Sequence, residues 1–370
     1  MLLLGRNIVD AEQLGRLTGG LTTQSTGCTG RKPFIAVDAE GGSVMRLAPR
    51  LGWPATFSAQ ELGESNDFVL TELEARRIGA MLRAVGINWD LAPVVDVGYN
   101  PANPVIVGAA RSFGANPLQV TEHARAFVQG LRAEGVLTAL KHFPGHGSSF
   151  DDTHLGFTDV TDTASPELEL APYRALIADG LADSVMTAHV FNKRLDEQYP
   201  ATLSRATVNG VLRGELGFKG AVVSDDLRMG AIERQYGIGE AAVLALDAGV
   251  DMLLIVDDRL PDGTLGHAAR PGRHPPGARA KAPSTRRASK RRIDRVRALR
   301  APALAHARRA ARPAGLSAVT SPATAARPRR GSPATAGRRG GCTRWRRPRW
   351  RIAARPEVPR GPPAPRRGRR

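Results

Sequence analysis

Only two cysteines, Cys28 and Cys342, occur in 370 residues. That excludes a disulfide scaffold and a cysteine-based zinc finger. Cys28 has no nearby cysteine partner and reads as a bystander thiol. Aromatics are scarce at 5%, and Trp345 and Trp350 lie among scattered arginines that make no ordered stacking platform. No apolar run approaches the roughly 20 residues a membrane span needs. The apolar start, Met1 to Leu4, is too short for a signal-peptide core. A cytoplasmic location is the default expectation, with export left open because the first strand pattern begins at Met1. No GxGxxG follows a strand pattern, and no P-loop sequence appears.

Charge is present but unevenly shared. The formal net charge is +18. Residues 1–260 carry 22 Lys and Arg against 32 Asp and Glu, whereas residues 261–370 carry 31 against 3. The second segment also holds 16 of the 27 prolines. Its Arg/Pro/Ala/Gly mixture buries too little apolar area to offset chain entropy, so 261–370 is expected to be a disordered basic tail. Arg291 to Arg300 is its one candidate for a transient helix. The tail is either a basic arm for acidic surfaces or the out-of-frame product of a GC-rich gene, the second being favoured. The acidic body argues against a specific nucleic-acid partner.

Residues 1–260 alternate apolar runs with amphipathic stretches. Strands are expected at 2–5, 34–38, 87–97, 137–143, 184–190, 220–225 and 251–256. Helices are expected at 67–85, 117–134, 166–179, 204–216 and 239–248, with Asp67 and Ser204 as N-caps and Gly135 and Gly180 at C-terminal ends. Continuously apolar strands are buried on both faces, which points to parallel pairing. The expected fold is α/β, a TIM-type (β/α)8 barrel rather than a doubly wound sheet. Reactive side chains recur at the C-terminal ends of different strands, namely Asp38, Asp96, Lys141, His142, His189, Asp225 and Asp226. Barrel sites are assembled from such positions. Seven strands are legible, so the barrel is expected to lack its first strand and last helix.

Two stretches carry the chemistry. The first is KHFPGHGSSFDDTHLGF, Lys141 to Phe157. Its Gly-rich loop is too polar for a core and ends in Asp152-Thr153-His154, where an aspartate can orient an imidazole and raise its basicity. His142, His146 and His154 lack the helical i,i+4 spacing of a zinc motif, so no metal is expected. The second is VVSDDLRMGAI, Val222 to Ile232, where a buried strand ends in adjacent acids. Adjacent acids there are costly unless used or paired. Capping of the following helix suits Asp226, and a catalytic role suits Asp225. Asp96 reads as a structural partner at its strand end, His123 as a helix-surface residue and Met252 as core.

KHFPGHG with D-x-H, then AHV, then SDDLRM, resembles the family 3 glycoside hydrolases. The branch most similar is that of the β-N-acetylhexosaminidases, including the β-N-acetylglucosaminidases of peptidoglycan recycling. VDAEGGSVMRL (37–47), LAPVVDV (91–97), ARSFGANP (110–117) and ELGFKGAVVSDDLRMGAI (215–232) resemble the family's blocks in the family's order. The resemblance spans about residues 2–257. It implies that Asp225 is a nucleophile forming a covalent glycosyl–enzyme intermediate. It implies that His154, held by Asp152, is the general acid/base. Asp38, Arg46, Arg111, Lys141 and His142 would grip the terminal sugar, although Arg46 and Arg111 could instead pair with acids. The family commonly has D-S-H where this chain has D-T-H, and the hydroxyl is kept.

Retaining hydrolysis needs a nucleophile and a proton donor, classically two carboxyl groups about 5–5.5 Å apart. A histidine can replace the acid, because its ordinary pKa of about 6.5 lies near working pH. The expected substrate is an amino-sugar glycan with terminal N-acetylglucosamine, such as a muropeptide or chitooligosaccharide, and no cofactor is expected. The alternatives are a phosphorylase on the same scaffold, in which phosphate attacks the glycosyl–Asp225 intermediate, or an inactive fragment whose basic tail binds nucleic acid.

Overall fold

The structure, a computed structural model, describes residues 1–256. The expectations for 261–370 lie outside the described residues. β1 (Leu2–Leu3) leads into α1 (Ala11–Thr29), which Asp10 caps by accepting the N–H of Gln13. β2 (Ala36–Val37) runs on into a small antiparallel pair, β3 (Ala39–Gly41) and β4 (Val44–Met45). After α2 (Ala59–Ser65) and α3 (Phe68–Ala84) comes β5 (Trp89–Asp90). Then α4 (Pro117–Ala133), β6 (Ala139–Phe143), α5 (Pro166–Ala178) and β7 (Ser184–Thr187) alternate. A π-helical segment, Ala206–Glu215, precedes β8 (Ala221–Asp226), and α6 (Gly230–Ala248) precedes β9 (Met252–Leu254).

All strand pairs outside the β3–β4 hairpin are parallel. β1, β2 and β5 pair in that order, and β6, β7, β8 and β9 in theirs. Parallel bridges from Trp89 to Leu137 and from Val94 to Lys141 join the two sheets. Alternate strand residues enter two different apolar clusters. Ala36, Trp89, Ala139, Met186, Ala221 and Val223 form an inner one. Val37, Leu140, Val185 and Val222 belong to the larger cluster that the helices cover. Strands buried on both faces in this way need a helix layer on one side.

Several sequence expectations are corrected here. The run 87–97 is a strand at Trp89–Asp90 and pairs again only through the Val94 bridge to Lys141, because Pro93 between them supplies no ladder N–H. The run 184–190 pairs only to Thr187. Asp67 does cap its helix, accepting from Leu70 N–H, and Gly135 and Gly180 take the left-handed conformation expected of helix ends. Ser204 sits one residue outside its expected place, yet its Oγ still accepts the Thr207 N–H at 3.0 Å. The expected helix 239–248 is the second half of α6, which begins at Gly230 and kinks at Gly237. His123 is fully buried rather than on a helix surface. It stacks on Phe113, and its Nδ1 lies 2.8 Å from Thr71 Oγ1.

Candidate active site

The inner face of the strands, carried one pleat further, supplies the site. Side chains two residues apart on a strand share a face. Asp38 stands two beyond Ala36, Lys141 two beyond Ala139, and Asp225 two beyond Val223, all three from the inner cluster. Three separate strands thus place a carboxylate, an ammonium and a second carboxylate just above an apolar floor. His142 breaks the alternation. It follows a cis peptide at Lys141, and β6 shifts register between Leu140 and Phe143.

Lys141 is buried and bridges two acids, with Nζ 3.0 Å from Asp38 Oδ1 and 2.6 Å from Glu40 Oε1. Arg46 pairs with the other Asp38 oxygen at 3.3 Å. Arg111 forks onto Glu40, with Nε and a terminal nitrogen each 2.8 Å from a carboxylate oxygen. The same guanidinium reaches His142 Nε2 at 3.2 Å. Burial alone would raise the Glu40 carboxyl, but the charges of Arg111 and Lys141 outweigh it and hold it well below the usual range. Burial would likewise lower Lys141, and Glu40 and Asp38 reverse that. Lys141 and Arg111 are therefore fixed in place as charged hydrogen-bond donors. The sequence left open whether Arg46 and Arg111 pair with acids, and both do.

Glu40 is the residue that sequence reasoning missed. The one cue was its spacing, two residues after Asp38 in VDAEGG, too weak to separate it from a surface acid in a Gly-rich turn. Asp96 is the structural partner expected. It is fully buried, accepts the backbone N–H of His142 and of His146, and sits 2.6 Å from His142 Nδ1. Burial would raise its pKa, but His142 outweighs that and the carboxyl stays ionised below its ordinary range. Asp96 thereby fixes both the strand end and the ring of His142.

At the end of β8, Asp225 Oδ1 accepts its neighbour's N–H at 2.8 Å. Burial opposes its charge, yet His189 and His142 outweigh burial and lower its pKa. An ionised carboxylate at that point is a competent nucleophile. Asp226 does not cap α6, whose N-cap position is Met229. Its Oδ1 instead accepts the N–H of Arg228 and of Val256, each at 3.0 Å, tying β8 to the end of β9. His189 is buried, with Nε2 2.9 Å from the Asp226 carbonyl and Nδ1 2.8 Å from Thr202 Oγ1. Burial lowers its pKa, while Asp225 raises it and His154 lowers it further. His189 is thus within electrostatic reach of both proposed catalytic groups.

The loop after β6 is pinned by its own polar groups. His146 Nδ1 lies 2.8 Å from Ser149 Oγ and its Nε2 3.1 Å from Thr153 Oγ1. Burial pushes this imidazole down to about 4. Asn103 holds the His146 carbonyl and the Ser149 hydroxyl. Gly147 has no room for a side chain, because a Cβ there would meet the Val97 carbonyl at 1.9 Å. Beyond this anchored part, His154 Nδ1 lies 2.7 Å from Asp152 Oδ1, and the His154 side chain is 58% exposed. The carbonyls of Thr153 and His154 accept N–H groups from Ala231 and Gly230 at the start of α6, each at 3.1 Å. The loop carrying the imidazole is thus tied to the start of α6, the helix that follows β8, and Nδ1 is the ring nitrogen engaged with Asp152. Among the described residues no group of three His, Cys, Asp or Glu side chains is arranged to hold a metal ion.

The description "Glycosyl hydrolase family 3 N terminal domain" matches residues 1–270. The chain belongs to glycoside hydrolase family 3. The described residues have the TIM-barrel-like α/β fold of that family's N-terminal domain. The chain is 42% identical over 230 residues to the beta-hexosaminidase LpqI of Mycobacterium tuberculosis, covering 60% of this chain and 58% of that protein. It therefore spans less than two thirds of the length of that relative. A family 3 beta-N-acetylglucosaminidase structure from a Paenibacillus species superposes with TM-score 0.72 at 35% identity, covering 86% of this chain and 58% of that one. The NagZ structure from Neisseria gonorrhoeae, in complex with N-trifluoroacetyl-D-glucosamine, gives TM-score 0.60 at 33% identity, covering 69% and 73% of the two chains. No helix among the described residues is long and apolar enough to cross a membrane.

Proposed function

We propose that this chain is a retaining exo-β-N-acetylhexosaminidase that releases terminal N-acetylglucosamine from amino-sugar glycans such as muropeptides or chitooligosaccharides. The observation that carries the reading is an ionised Asp225 at the inner strand end together with an exposed, carboxylate-held His154 on a loop tied to the start of the next helix, α6. Asp38, Lys141, Arg111, Arg46 and His142 make a polar collar beside Asp225, suited to sugar hydroxyls. A relative crystallised with an N-acylglucosamine analogue supports the choice of sugar. We also read the parallel strands as part of an eight-stranded barrel. A hydrogen bond from Arg6 to the Val256 carbonyl, 3.2 Å, supports this by joining the segments that follow the first and last described strands.

In the first step the Asp225 carboxylate attacks the anomeric carbon as the glycosidic C–O bond breaks. The protonated His154 gives its Nε2 proton to the departing oxygen, while Nδ1 keeps its own proton and donates it in a hydrogen bond to Asp152. In the second step water attacks the glycosyl ester, His154 Nε2 takes its proton, and the Asp225 carboxylate leaves. Low local pKa suits Asp225 to both the attack and the departure.

The test uses an aryl N-acetyl-β-D-glucosaminide in phosphate-free buffer, with the first-formed sugar anomer followed by NMR. Turnover with initial release of the β-anomer is expected. Asp225→Ala should lose several orders of magnitude in kcat, as for other deleted nucleophiles. Initial release of the α-anomer, or near-normal turnover by Asp225→Ala, would overturn the mechanism. Turnover that requires added phosphate would make the chain a phosphorylase.

A further inference from the structure

Asp90 is fully buried and takes no part in the chemistry above. It follows Trp89, which belongs to the inner cluster, so its side chain lies on the opposite face of β5, behind the sugar collar. One carboxyl oxygen, Oδ1, accepts the Ala39 N–H at 2.9 Å. The other, Oδ2, is buried with no hydrogen-bond partner. Ala39 stands between Asp38 and Glu40, the two acids that hold Lys141.

Backbone pairing shows what Asp90 replaces. Leu91 N–H donates to the Val37 carbonyl at 2.9 Å. The next rung of a regular parallel ladder would send the Ala39 N–H to the Leu91 carbonyl. The Asp90 side chain takes that N–H instead, just where β2 departs from β5 and turns toward β3. An N–H left unpaired in so buried a place would cost its full desolvation.

We propose that Asp90 is a positioning residue for the sugar-binding collar, its carboxyl holding the Ala39 peptide so that Asp38 and Glu40 both face Lys141. This inference rests on the function proposed above. The pattern of charge supports it. Asp38 and Glu40 are the acids facing Asp90, and both oppose a further negative charge beside them, with Lys141 the cation that favours it. Burial first, then Asp38 and Glu40, push Asp90 up to about 8, against the opposing pull of the Ala39 N–H and Lys141. Below that pH Asp90 is a neutral acid that still accepts from Ala39. An asparagine has the same shape, no charge and the same acceptor.

The experiment measures kcat and KM on the aryl glycoside from pH 5 to 9 for the full chain, Asp90→Asn and Asp90→Ala. The wild type and Asp225→Ala come first. If the wild type does not turn over, or Asp225→Ala does, the proposed function fails and Asp90 is not reached. Once that control holds, Asp90→Asn is expected to keep kcat and KM within about threefold of wild type at pH 6. Asp90→Ala is expected to raise KM about tenfold, the scale of one lost buried hydrogen bond, with a smaller change in kcat. Above pH 8 the wild type should lose kcat/KM as a charge forms behind Asp38 and Glu40, and Asp90→Asn should lack that loss. Should Asp90→Ala fail to fold, the pH profiles of the other two decide. Superimposable alkaline limbs in wild type and Asp90→Asn, or an unchanged KM in a folded Asp90→Ala, would overturn the assignment.

Discussion

His154 shows how much a single side chain can be asked to do. Its Nδ1 is committed to Asp152, and its exposed ring leaves Nε2 for a substrate oxygen. A good leaving group departs without a proton, and a poor one does not. His154→Ala should therefore slow an alkyl or glycosyl leaving group by about 100- to 10,000-fold while slowing a nitrophenyl one far less. Asp152→Asn should act in the same direction, less severely, by misorienting the ring. Equal losses across a leaving-group series would remove His154 from the acid role. Asp38, Lys141 and Asp225 were legible because reactive side chains stood where apolar strands ended, and His154 because it closes a polar, Gly-rich loop. Glu40 was not, since an acid in a Gly-rich turn looks like ordinary surface until Arg111, some seventy residues on, folds onto it. His123 misled for the opposite reason. Its polarity suggested solvent, but the ring stacks on Phe113 and Nδ1 bonds Thr71 inside, leaving only Nε2 without a hydrogen-bond partner.

Among the elements, α5 has a role at the site that its sequence does not announce. Glu169, in its first turn, is buried and accepts the Tyr99 hydroxyl at 3.0 Å. It also packs under the loop at Gly145, where a Cβ would meet its side chain at 2.6 Å. Burial pushes Glu169 up to about 7 from an ordinary value of 4.5. The unfolded chain loses this proton near 4.5, and the folded chain keeps it until about 7. The favourable contribution is thus complete below the lower value and is lost as pH rises through the higher one. The loss is on the order of 3 kcal/mol. Urea midpoints between pH 4 and 8 should fall with pH in the wild type, and Glu169→Gln should remove a substantial part of that slope. Parallel slopes in the two proteins would mean that Glu169 ionises freely. Helix positions were legible where a cap marked them, as at Asp67, Gly135 and Gly180. Helices α1 and α2 escaped notice, because α1 is small-residue-rich with only Leu14 and Thr18 buried, and α2 is one short run of seven residues.

For the whole molecule, charge divides the chain where chemistry does. Every residue assigned to the site lies between Asp38 and Asp225, within the acidic segment, whereas residues 261–370 turn the total to +18. A chain ending at residue 260 should change from binding a cation exchanger at pH 7 to binding an anion exchanger. Its kcat/KM per folded molecule should stay within about twofold, because no site group is removed. Retention of the charge change with loss of activity would place a functional group in the removed segment. Parallel strands and the strand-end site could be read from apolar runs ending in reactive residues. The register could not. Pairing across β2, β5 and β6 depends on the Pro93 break and the shift within β6, and neither follows from hydropathy.

The apolar floor beneath Asp38, Lys141 and Asp225 bears on traffic as well as on stability. Trp89 fills it, with its indole N–H on Ser184 Oγ at 3.2 Å, and Ala139, Met186 and Val223 complete it. A ring seated on that layer has no exit below. On the function proposed above, a glycan end lowered onto that layer cannot pass on through it. A freed monosaccharide would then leave by the side from which the next chain end arrives, so on that function the product is expected to compete with its own precursor.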